Sequence, residues 1–315
     1  MALSGRISAV VPVYNSEDTI EACIGSIMRQ TYSDVEIVAV DDGSTDNSGA
    51  VIDRLALGDR RLHVVHQPNK GRTEARRIGV EKATGEWITF VDSDDTLPPD
   101  ALDRLAKGAA AERDIVLGNG YALNGETRES IPIDEFRHMA VRAEGTIGVP
   151  WGCLYRHTAM TRRLFDMPRH IMMGEDYIFW LRLTFATEKP VGIVYDKVYN
   201  KGEEHTSNSF RWTAEYAQQI DELRRDAIPA QQHREFMSDM VSDRLANMLG
   251  VAQWTERGEW LHSAFYRKLL ADMSDCGQTM PPRARIFLAT PSLKLRRLMV
   301  RISTRKTERQ KESKK

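Results

Sequence analysis

The sequence predicts an α/β protein whose amino-terminal part is a mostly parallel β-sheet flanked by helices. Short apolar runs of strand composition alternate there with segments in which apolar residues recur at helical spacing. The joints between them are short, and such alternation builds parallel sheets with helices on both faces. Polar clusters stand directly after the first, second and fourth apolar runs. Because ligands bind at the carboxyl ends of strands in these sheets, the clusters predict one binding crevice.

The first strand and the first helix are predicted close to the amino terminus. The apolar run Ile7 to Val13 has the composition of a buried strand. Asn15 or Ser16 can cap the helix that follows, which we expect over about residues 17–30. Its buried face is predicted by apolar residues at helical spacing, namely Ile20, Cys23, Ile24, Ile27 and Met28.

The same alternation continues through the next part of the chain. Strands are predicted at Val35 to Val40, at Leu62 to Val65, from Trp87 onward and at Asp114 to Leu117. Helices are predicted around Val51 to Leu55, over residues 73–83 with Gly85 closing the helix, and over residues 99–111. This order of elements is the basis for the predicted α/β class.

The fourth strand ends in a concentration of negative charge. After the run Trp87 to Val91, three carboxylates fall within four residues, at Asp92, Asp94 and Asp95. Carboxylates this close repel one another unless a positive group lies between them. Oxygen ligands suit Mg²⁺ or Mn²⁺ rather than zinc, so the cluster predicts a divalent-cation site. The alternative is a polar turn in which Asp95 or Thr96 caps the next helix, which accounts for one carboxylate but not for three.

The composition is that of a globular protein without a disulfide framework. The 315 residues carry 44 Lys and Arg against 45 Asp and Glu, and 41% are hydrophobic. Cys23, Cys153 and Cys276 are odd in number and contain no CxxC pair, which argues against disulfides and a zinc site. The apolar run after Arg6 is too short for a signal peptide, and no run of about 18 apolar residues follows. We therefore expect a cytoplasmic protein.

The predicted sheet region contains a series of short motifs in a specific order and spacing. They are Val10 to Asn15, Ser26 to Tyr32, Asp41 to Asp46, Asn69 to Gly71 followed by Ala75, Arg76 and Gly79, and Gly85 to Asp95. Together they resemble family 2 glycosyltransferases of the GT-A fold. Trp151 to Arg156 and Gly174 to Phe179 extend this resemblance to about residue 210. It implies a Rossmann-like nucleotide-sugar-binding and catalytic domain over residues 1–210.

The resemblance implies roles for residues that follow the first two strands. Pro12, Tyr14 and Asp42 are expected to lie against the nucleoside of the donor, commonly uridine. Asp41 belongs to the same motif as Asp42 and is counted with the donor site. The donor is therefore expected to be a nucleotide-sugar, most simply a UDP-sugar.

Further implied roles concern the diphosphate. Asp94, with Asp92, would hold Mn²⁺ or Mg²⁺ on it, and Ser93 between them is counted with the donor site. Arg76 is expected near the phosphates. His205 could complete the metal shell or touch the diphosphate, and the alternative is an uninvolved histidine in a polar loop.

Arg72, Arg76 and Arg77 form a basic group at the start of the predicted helix 73–83. Guanidinium groups bind phosphate oxygens through two parallel N–H donors, which favours contact with a diphosphate. The alternative is a solvated basic face of the helix. For Arg76 we favour the diphosphate contact. Arg77 stands where the resembled family often has Asn.

Asp176 is the predicted catalytic base. Gly174 ends the preceding segment, and Ile178, Leu181 and Phe185 then recur at helical spacing. Glu175 and Asp176 are therefore predicted to lie in the first turn of a helix. Free N–H groups and the helix dipole favour ionised carboxylates there. The alternative is a pair of ordinary helix-start residues. The resemblance favours catalysis by Asp176 with inversion at the anomeric carbon, and Glu175 is the second candidate.

The last third of the chain predicts a helical extension. Strand patterns are absent after residue 211, and residues 211–282 form helical stretches that end at Pro281 and Pro282. Residues 283–315 are rich in Lys and Arg, and Leu295, Leu298, Met299 and Ile302 form an apolar stripe. Such a basic amphipathic tail can lie on an anionic membrane. The alternative is a packed helix with a solvated end.

The leading hypothesis is an inverting, metal-dependent glycosyltransferase of surface polysaccharide or glycolipid synthesis. Its partners would be a nucleotide-sugar donor, a glycan or lipid-linked glycan acceptor and the inner face of the membrane, and a homodimer is left open. Nucleic-acid binding is not expected because no recognition motif accompanies the basic tail. A nucleotidyltransferase would need a glycine-rich phosphate loop after the first strand, which is absent. A second hypothesis is an inactive binding or scaffold subunit.

Overall fold

The computed structural model describes residues 5–118, 127–143, 148–202 and 212–312, with side chains up to residue 302. The chain forms two compact units, Met1–His205 and Thr206–Lys315. His205, a predicted metal ligand, lies outside the described residues. In the described part of the chain, no helix is long and apolar enough to cross a membrane.

The first unit is built on an eight-stranded sheet. Its strands are β1 (Ile7–Val13), β2 (Val35–Asp41), β3 (Leu62–His66), β4 (Trp87–Phe90), β5 (Ile115–Leu117), β6 (Ser130–Ile131), β7 (Cys153–Arg156) and β8 (Val191–Ile193). The strand order is β3-β2-β1-β4-β7-β5-β8-β6. Strands β3, β2, β1 and β4 are parallel neighbours, whereas β7 runs antiparallel between β4 and β5. The carboxyl ends of β1, β2 and β4 therefore share one edge.

Within the described residues of the first unit, six α-helices accompany the sheet. They are α1 (Ile20–Met28), α2 (Ser48–Gly58), α3 (Arg72–Lys82), α4 (Ala101–Gly108), α5 (Ile133–Val141) and α6 (Glu175–Ala186). All seven residues of β1 and all seven of β2 are buried, as expected for central strands covered on both faces. The predicted α/β class with a largely parallel sheet is confirmed.

Two local predictions differ from the structure at helix ends. Helix α1 is preceded by Thr19 rather than by Asn15 or Ser16, because those two side chains bind neighbouring loops instead. Helix α3 ends at Lys82, before Gly85. The Gly85 N–H donates to Ser8 Oγ at 2.9 Å, so this glycine fixes the turn into β4 rather than closing the helix.

A cluster of aromatic rings joins α6 to the centre of the sheet. Phe179 on α6 lies 5.9 Å from Phe90 and 5.6 Å from Tyr155, measured between ring centroids and in edge-to-face geometry. Trp180 and Phe165 complete the group. Edge-to-face pairs add about 0.5–1.5 kcal/mol each beyond their buried area. The cluster therefore packs the amino-terminal half of α6 against the end of β4.

The second unit is helical throughout its described residues. It contains α7 (Ala214–Ala227), α8 (Met237–Trp254), α9 (Arg257–Trp260), α10 (Ala264–Asp275), α11 (Pro282–Ala289) and α12 (Leu293–Glu312). The predicted helical extension is confirmed, and Pro281 and Pro282 mark the start of α11. Arg296 on α12 is fully buried and donates to the carbonyl oxygens of Ala252 and Thr255 at 2.7 Å each. The first turns of α12 therefore pack against the end of α8.

Candidate active site

The loops after β1, β2 and β4 are joined by hydrogen bonds between polar side chains. Asn15 has a positive φ of 48°, and its Oδ1 accepts the N–H of Thr45 at 2.8 Å. The Ser16 N–H donates to Ser48 Oγ at 2.7 Å. The hydroxyl groups of Ser16 and Ser93 lie 2.7 Å apart. The three polar clusters that the sequence places after these strands therefore meet at one edge of the sheet.

Asp42, which follows β2, binds the loop that leads into α3. It is 3% exposed, and its Oδ1 accepts hydrogen bonds from Gln67 Nε2 at 2.7 Å and from the Lys70 N–H at 2.8 Å. Its Oδ2 accepts the Gly71 N–H at 2.8 Å. A carboxylate oxygen has two lone pairs, so Oδ2 can accept one further donor. Asp42 is thus held firmly and retains capacity for a ligand.

Asp41, at the end of β2, forms hydrogen bonds with other residues of the protein. Its Oδ2 lies 3.0 Å from Nδ1 of His66, whose Nε2 lies 3.1 Å from Asp53 Oδ1 on α2. Burial acts to raise the pKa of Asp41, but hydrogen bonds from Ser44 and His66 outweigh it, so this pKa is lowered. Hydrogen bonds to the two carboxylates raise the pKa of His66. Asp41 therefore joins β2, β3 and α2.

Asp95 closes the turn that follows β4 and does not cap a helix. It is 4% exposed, and its carboxylate accepts the Tyr199 hydroxyl and the Gly202 N–H, both at 2.6 Å. The next helix is preceded by Asp100, so the capping alternative for Asp95 is wrong. Burial raises the pKa of Asp95, and the hydrogen bond from Tyr199 acts against it. The three carboxylates of this turn therefore have different surroundings.

Arg76 connects the turn after β4 to the start of α6. Its side chain is 4% exposed, and it donates from Nη2 to Asp92 Oδ1 at 2.8 Å and from Nη1 to Asp176 Oδ1 at 2.6 Å. Burial acts to lower the pKa of Arg76, but the two carboxylates outweigh it and the pKa is raised. One buried cation thus holds a predicted metal ligand and the predicted base together.

Asp176 lies in the first turn of α6, directly after Gly174. Gly174 has a φ of 91°, a conformation that strongly favours glycine, and it lets the chain turn sharply into the helix. The side chain of Asp176 is 23% exposed, so its second oxygen can reach a bound molecule. Acidic side chains are common in the first turn of a helix, where backbone N–H groups are free. These features suit a proton acceptor.

Glu175 has a different environment from Asp176. Its carboxylate is 6% exposed and is bound by Arg72, which begins α3. Burial and the neighbouring Asp176 raise the pKa of Glu175, while Arg72 acts against them. Glu175 therefore holds α6 to α3, and the geometry offers it less access to an acceptor than Asp176 has. Arg77, the third basic residue of the group, pairs with Glu74 and Glu81 on its own helix.

Asp94 is exposed next to Asp92, which keeps 21% of its side-chain surface accessible. Among the residues that the structure describes, no group of three or more His, Cys, Asp or Glu side chains could hold a metal ion. Two carboxylates do fit the way Mg²⁺ is bound beside substrate phosphates, since the phosphates and water supply the other oxygens. The pair Asp92 and Asp94 therefore suits a metal that arrives with a diphosphate.

The remaining predicted donor residues are spread along the same edge. Pro12 is buried in β1, Tyr14 is 48% exposed after it, and Ser93 is partly buried in the turn after β4. Sequence reasoning missed Tyr199 and Gln67, whose partners lie far away along the chain. The one available signal for Tyr199 is a phenol at the end of the apolar stretch Val191 to Tyr199, where a hydroxyl needs a buried partner.

The fold and this edge of carboxylates and arginines define an α/β protein with a Rossmann-like sheet and a polar site at the carboxyl ends of its strands. The sequence profile of glycosyl transferase family 2 matches residues 8–169, slightly more than half of the chain. The chain belongs to glycosyl transferase family 2, and the predicted family is confirmed. The curated glycosyltransferase GlyA of Streptococcus pneumoniae is 28% identical over 277 residues, covering 78% of this chain. The chain spans 39% of the length of GlyA.

Two solved structures share the fold across most of the chain. The structure of Staphylococcus aureus TarS residues 1–349 with UDP-GlcNAc has a TM-score of 0.57 at 17% identity, and the match covers 88% of this chain and 93% of that TarS fragment. Mannosyltransferase PcManGT of Pyrobaculum calidifontis, solved with GDP-Man and Mn²⁺, has a TM-score of 0.55 at 19% identity and covers 90% and 79%. These similarities confirm the predicted glycosyltransferase fold.

Proposed function

We propose that the chain transfers a sugar from a UDP-sugar to a hydroxyl group of a glycan or lipid-linked glycan, with inversion at the anomeric carbon and Asp176 as the base. The observation that carries the proposal is the contact of Arg76 with both Asp92 and Asp176. It holds the residue that would accept the acceptor's proton close to the turn that would bind the donor's diphosphate.

The proton transfer requires an ionised carboxylate within hydrogen-bond reach of the acceptor hydroxyl. Asp176 keeps one oxygen on Arg76 and leaves the other available. As the acceptor oxygen attacks the anomeric carbon, Asp176 takes its proton and the bond from that carbon to the diphosphate breaks. UDP leaves with the electron pair, and direct displacement inverts the anomeric configuration.

The donor would lie along the edge formed by the loops after β1, β2 and β4. Tyr14 offers an exposed ring for a nucleobase, and Asp42 has one acceptor position for a base N–H or a ribose hydroxyl. TarS, which has the same fold, was solved with UDP-GlcNAc. Because its identity to this chain is low, that ligand supports the donor class without selecting the sugar.

Asp92 and Asp94 would hold Mn²⁺ or Mg²⁺ at the diphosphate. When bound, such an ion acts as a Lewis acid that stabilises the charge on the leaving diphosphate. Through that cation the two carboxylates would also hold the diphosphate beside the turn, and the side chain of Asp94 is exposed there. PcManGT, another structural neighbour, was solved with Mn²⁺.

Adding UDP with Mn²⁺ should raise the melting temperature of the first unit. A ligand at 100 times its dissociation constant stabilises the folded state by about 2.7 kcal/mol, which corresponds to about 5 °C or more for a domain of this size. The shift should vanish without Mn²⁺ and in Asp94→Asn, because the diphosphate then lacks its cation. Differential scanning fluorimetry measures it.

Asp100→Asn is the matched control, since Asp100 is a nearby carboxylate paired with Arg104 at the start of α4. It should keep the full shift. A folded protein that responds to no nucleotide, with or without metal, would support the scaffold hypothesis instead of the transferase.

The acceptor is proposed to be a lipid-linked glycan because α12 carries an amphipathic surface. Leu295, Leu298 and Ile302 are each about half exposed, at 48%, 50% and 50%, and lie on one helical face. Lys294 and Arg301 are exposed beside them. Apolar side chains bordered by cations suit an anionic lipid surface. The chain would then act as a peripheral protein on the inner face of a membrane.

The double variant Leu295→Asp with Leu298→Asp should bind vesicles of phosphatidylglycerol at least about tenfold more weakly than the unaltered chain, since burial of each leucine contributes about 1.5–3 kcal/mol. Flotation of the vesicles measures the bound fraction. Turnover on a soluble acceptor should not change. Point variants are preferred to truncation, because Arg296 holds the end of α8 and its removal would disturb the fold.

Leu57→Asp serves as the control, because Leu57 is 92% exposed on α2. If the double variant and this control both float like the unaltered protein, α12 does not contact the membrane.

A further inference from the structure

The turn that carries Asp92 and Asp94 is bound by the phenol group of Tyr199. The Tyr199 hydroxyl accepts the backbone N–H of Asp92 at 3.0 Å and donates its own proton to Asp95 Oδ2 at 2.6 Å. The turn itself is closed by the Asp95 N–H, which donates to the Asp92 carbonyl oxygen at 3.0 Å. One oxygen atom of Tyr199 therefore contacts both ends of the turn.

The ring of Tyr199 is itself fixed by a second aromatic ring. It is 3% exposed and stacks on Trp151, with ring centroids 4.6 Å apart and planes inclined by 16°. Trp151 forms a β-bridge with Phe90, the last residue of β4. The phenol oxygen is thus placed relative to the strand that the turn follows, and the ring has little freedom to move the hydroxyl away.

The chain after Tyr199 packs closely against the same turn. Thr96 and Asn200 form a β-bridge, and the Gly202 N–H donates to Asp95 Oδ1 at 2.6 Å. A Cβ atom at Gly202 would collide with the backbone carbonyl oxygen of Asp94. The turn is therefore in contact with Tyr199 at one side and with the backbone of residue 202 at another, and only glycine fits there.

We infer that Tyr199 is a positioning residue for the metal-binding turn, acting with Asp95 to set the backbone from which Asp92 and Asp94 project. The inference rests on the proposed function. Tyr199 contacts neither of those two carboxylates, so its effect is exerted through the peptide group of Asp92 and the side chain of Asp95. Metal binding beside a diphosphate depends on the direction of the ligating oxygens, and this direction follows from the backbone of the turn.

Tyr199→Phe removes one oxygen atom and keeps the ring that stacks on Trp151. It removes the Tyr199 partner of the Asp92 N–H and of Asp95 Oδ2, so fewer contacts hold the backbone of the turn. We expect the dissociation constant of Mn²⁺, measured by its electron paramagnetic resonance signal in the presence of UDP, to rise about tenfold, because both hydrogen bonds of the Tyr199 hydroxyl are lost. Saturating Mn²⁺ should restore kcat, whereas the KM for the acceptor should not change.

Tyr195→Phe is the matched control. The Tyr195 hydroxyl also accepts a backbone N–H and donates to a carbonyl, both of Arg128, at 2.8 and 3.2 Å. It lies outside the turn, so its loss should leave Mn²⁺ binding unchanged. A general loss of stability would affect both variants, whereas a positioning role affects only Tyr199→Phe.

Asp95→Asn provides a second test that does not alter the aromatic stack, and it covers the case in which Tyr199→Phe does not fold. An amide has only one acceptor oxygen, so it cannot serve both Tyr199 and Gly202. It should weaken Mn²⁺ binding in the same direction. Wild-type Mn²⁺ affinity in both variants would overturn the inference. Absence of Mn²⁺ binding with UDP in the unaltered protein would instead overturn the proposed function.

Discussion

Replacing Asp176 with Asn should lower kcat by a factor of about 10²–10⁴, the usual contribution of a general base. The substitution keeps the shape of the side chain, and the amide oxygen can still accept the hydrogen bond from Arg76. What is lost is the ability to take the acceptor's proton. A radiolabelled or coupled transfer assay with a verified acceptor measures kcat, and the thermal shift with UDP and Mn²⁺ should persist.

The control for this variant is Asp134→Asn. Asp134 is also an acid in the first turn of a helix, and it also pairs with an arginine, Arg137, at 3.1 Å. It lies on α5, and its side chain is 81% exposed. Its replacement should leave kcat within about twofold, since it touches none of the reacting groups. Near-normal turnover in Asp176→Asn would show that another group accepts the proton.

Replacing Arg76 with Met should destabilise the first unit by about 3 kcal/mol, the lower end of the cost of breaking a buried ion pair. The lower end applies because Asp92 and Asp176 each keep about a fifth of their side-chain surface exposed. The substitution removes the cation and leaves two carboxylates close to one another. Urea denaturation followed by tryptophan fluorescence, to which Trp87 and Trp180 of the first unit contribute, measures the change in the free energy of unfolding.

Arg77→Met is the control for Arg76→Met. Arg77 neighbours Arg76 and binds two carboxylates on its own helix, so its loss should cost less than about 1 kcal/mol. Adding Asp92→Asn to Arg76→Met should recover part of the stability, because one unpaired carboxylate is then removed. Equal unfolding curves for Arg76→Met and the unaltered chain would show that the buried pair does not hold α3 to α6.

Local patterns predicted the parallel half of the sheet well. The strand β1 covers the predicted residues Ile7 to Val13, and β2 extends the predicted run by one residue to Asp41. Both are central strands, and continuous burial gives them an uninterrupted apolar sequence. The antiparallel strand β7 is four residues long and inserts between β4 and β5. Its place depends on distant partners, which local spacing does not encode.

In the candidate site too, the positions of residues could be predicted from local sequence patterns, but contacts between residues far apart in the sequence could not. The sequence placed Asp92, Asp94 and Asp176 at strand and helix ends, because those positions follow from local periodicity. It did not predict that Arg76 binds Asp176, which is 100 residues further along the chain. The contact of Tyr199 with Asp95 spans 104 residues. Side-chain partners across such separations are determined by the fold as a whole.

The three N–H groups that bind Asp42 have a consequence for recognition. They hold the loop from Gln67 to Gly71 in place before any ligand arrives. The conformational entropy of ordering this loop is therefore lost when the protein folds and not when a nucleotide binds. Preorganisation of this kind leaves more of the contact free energy available for affinity. A nucleoside that docks beside Asp42 would meet a surface that already has its bound shape.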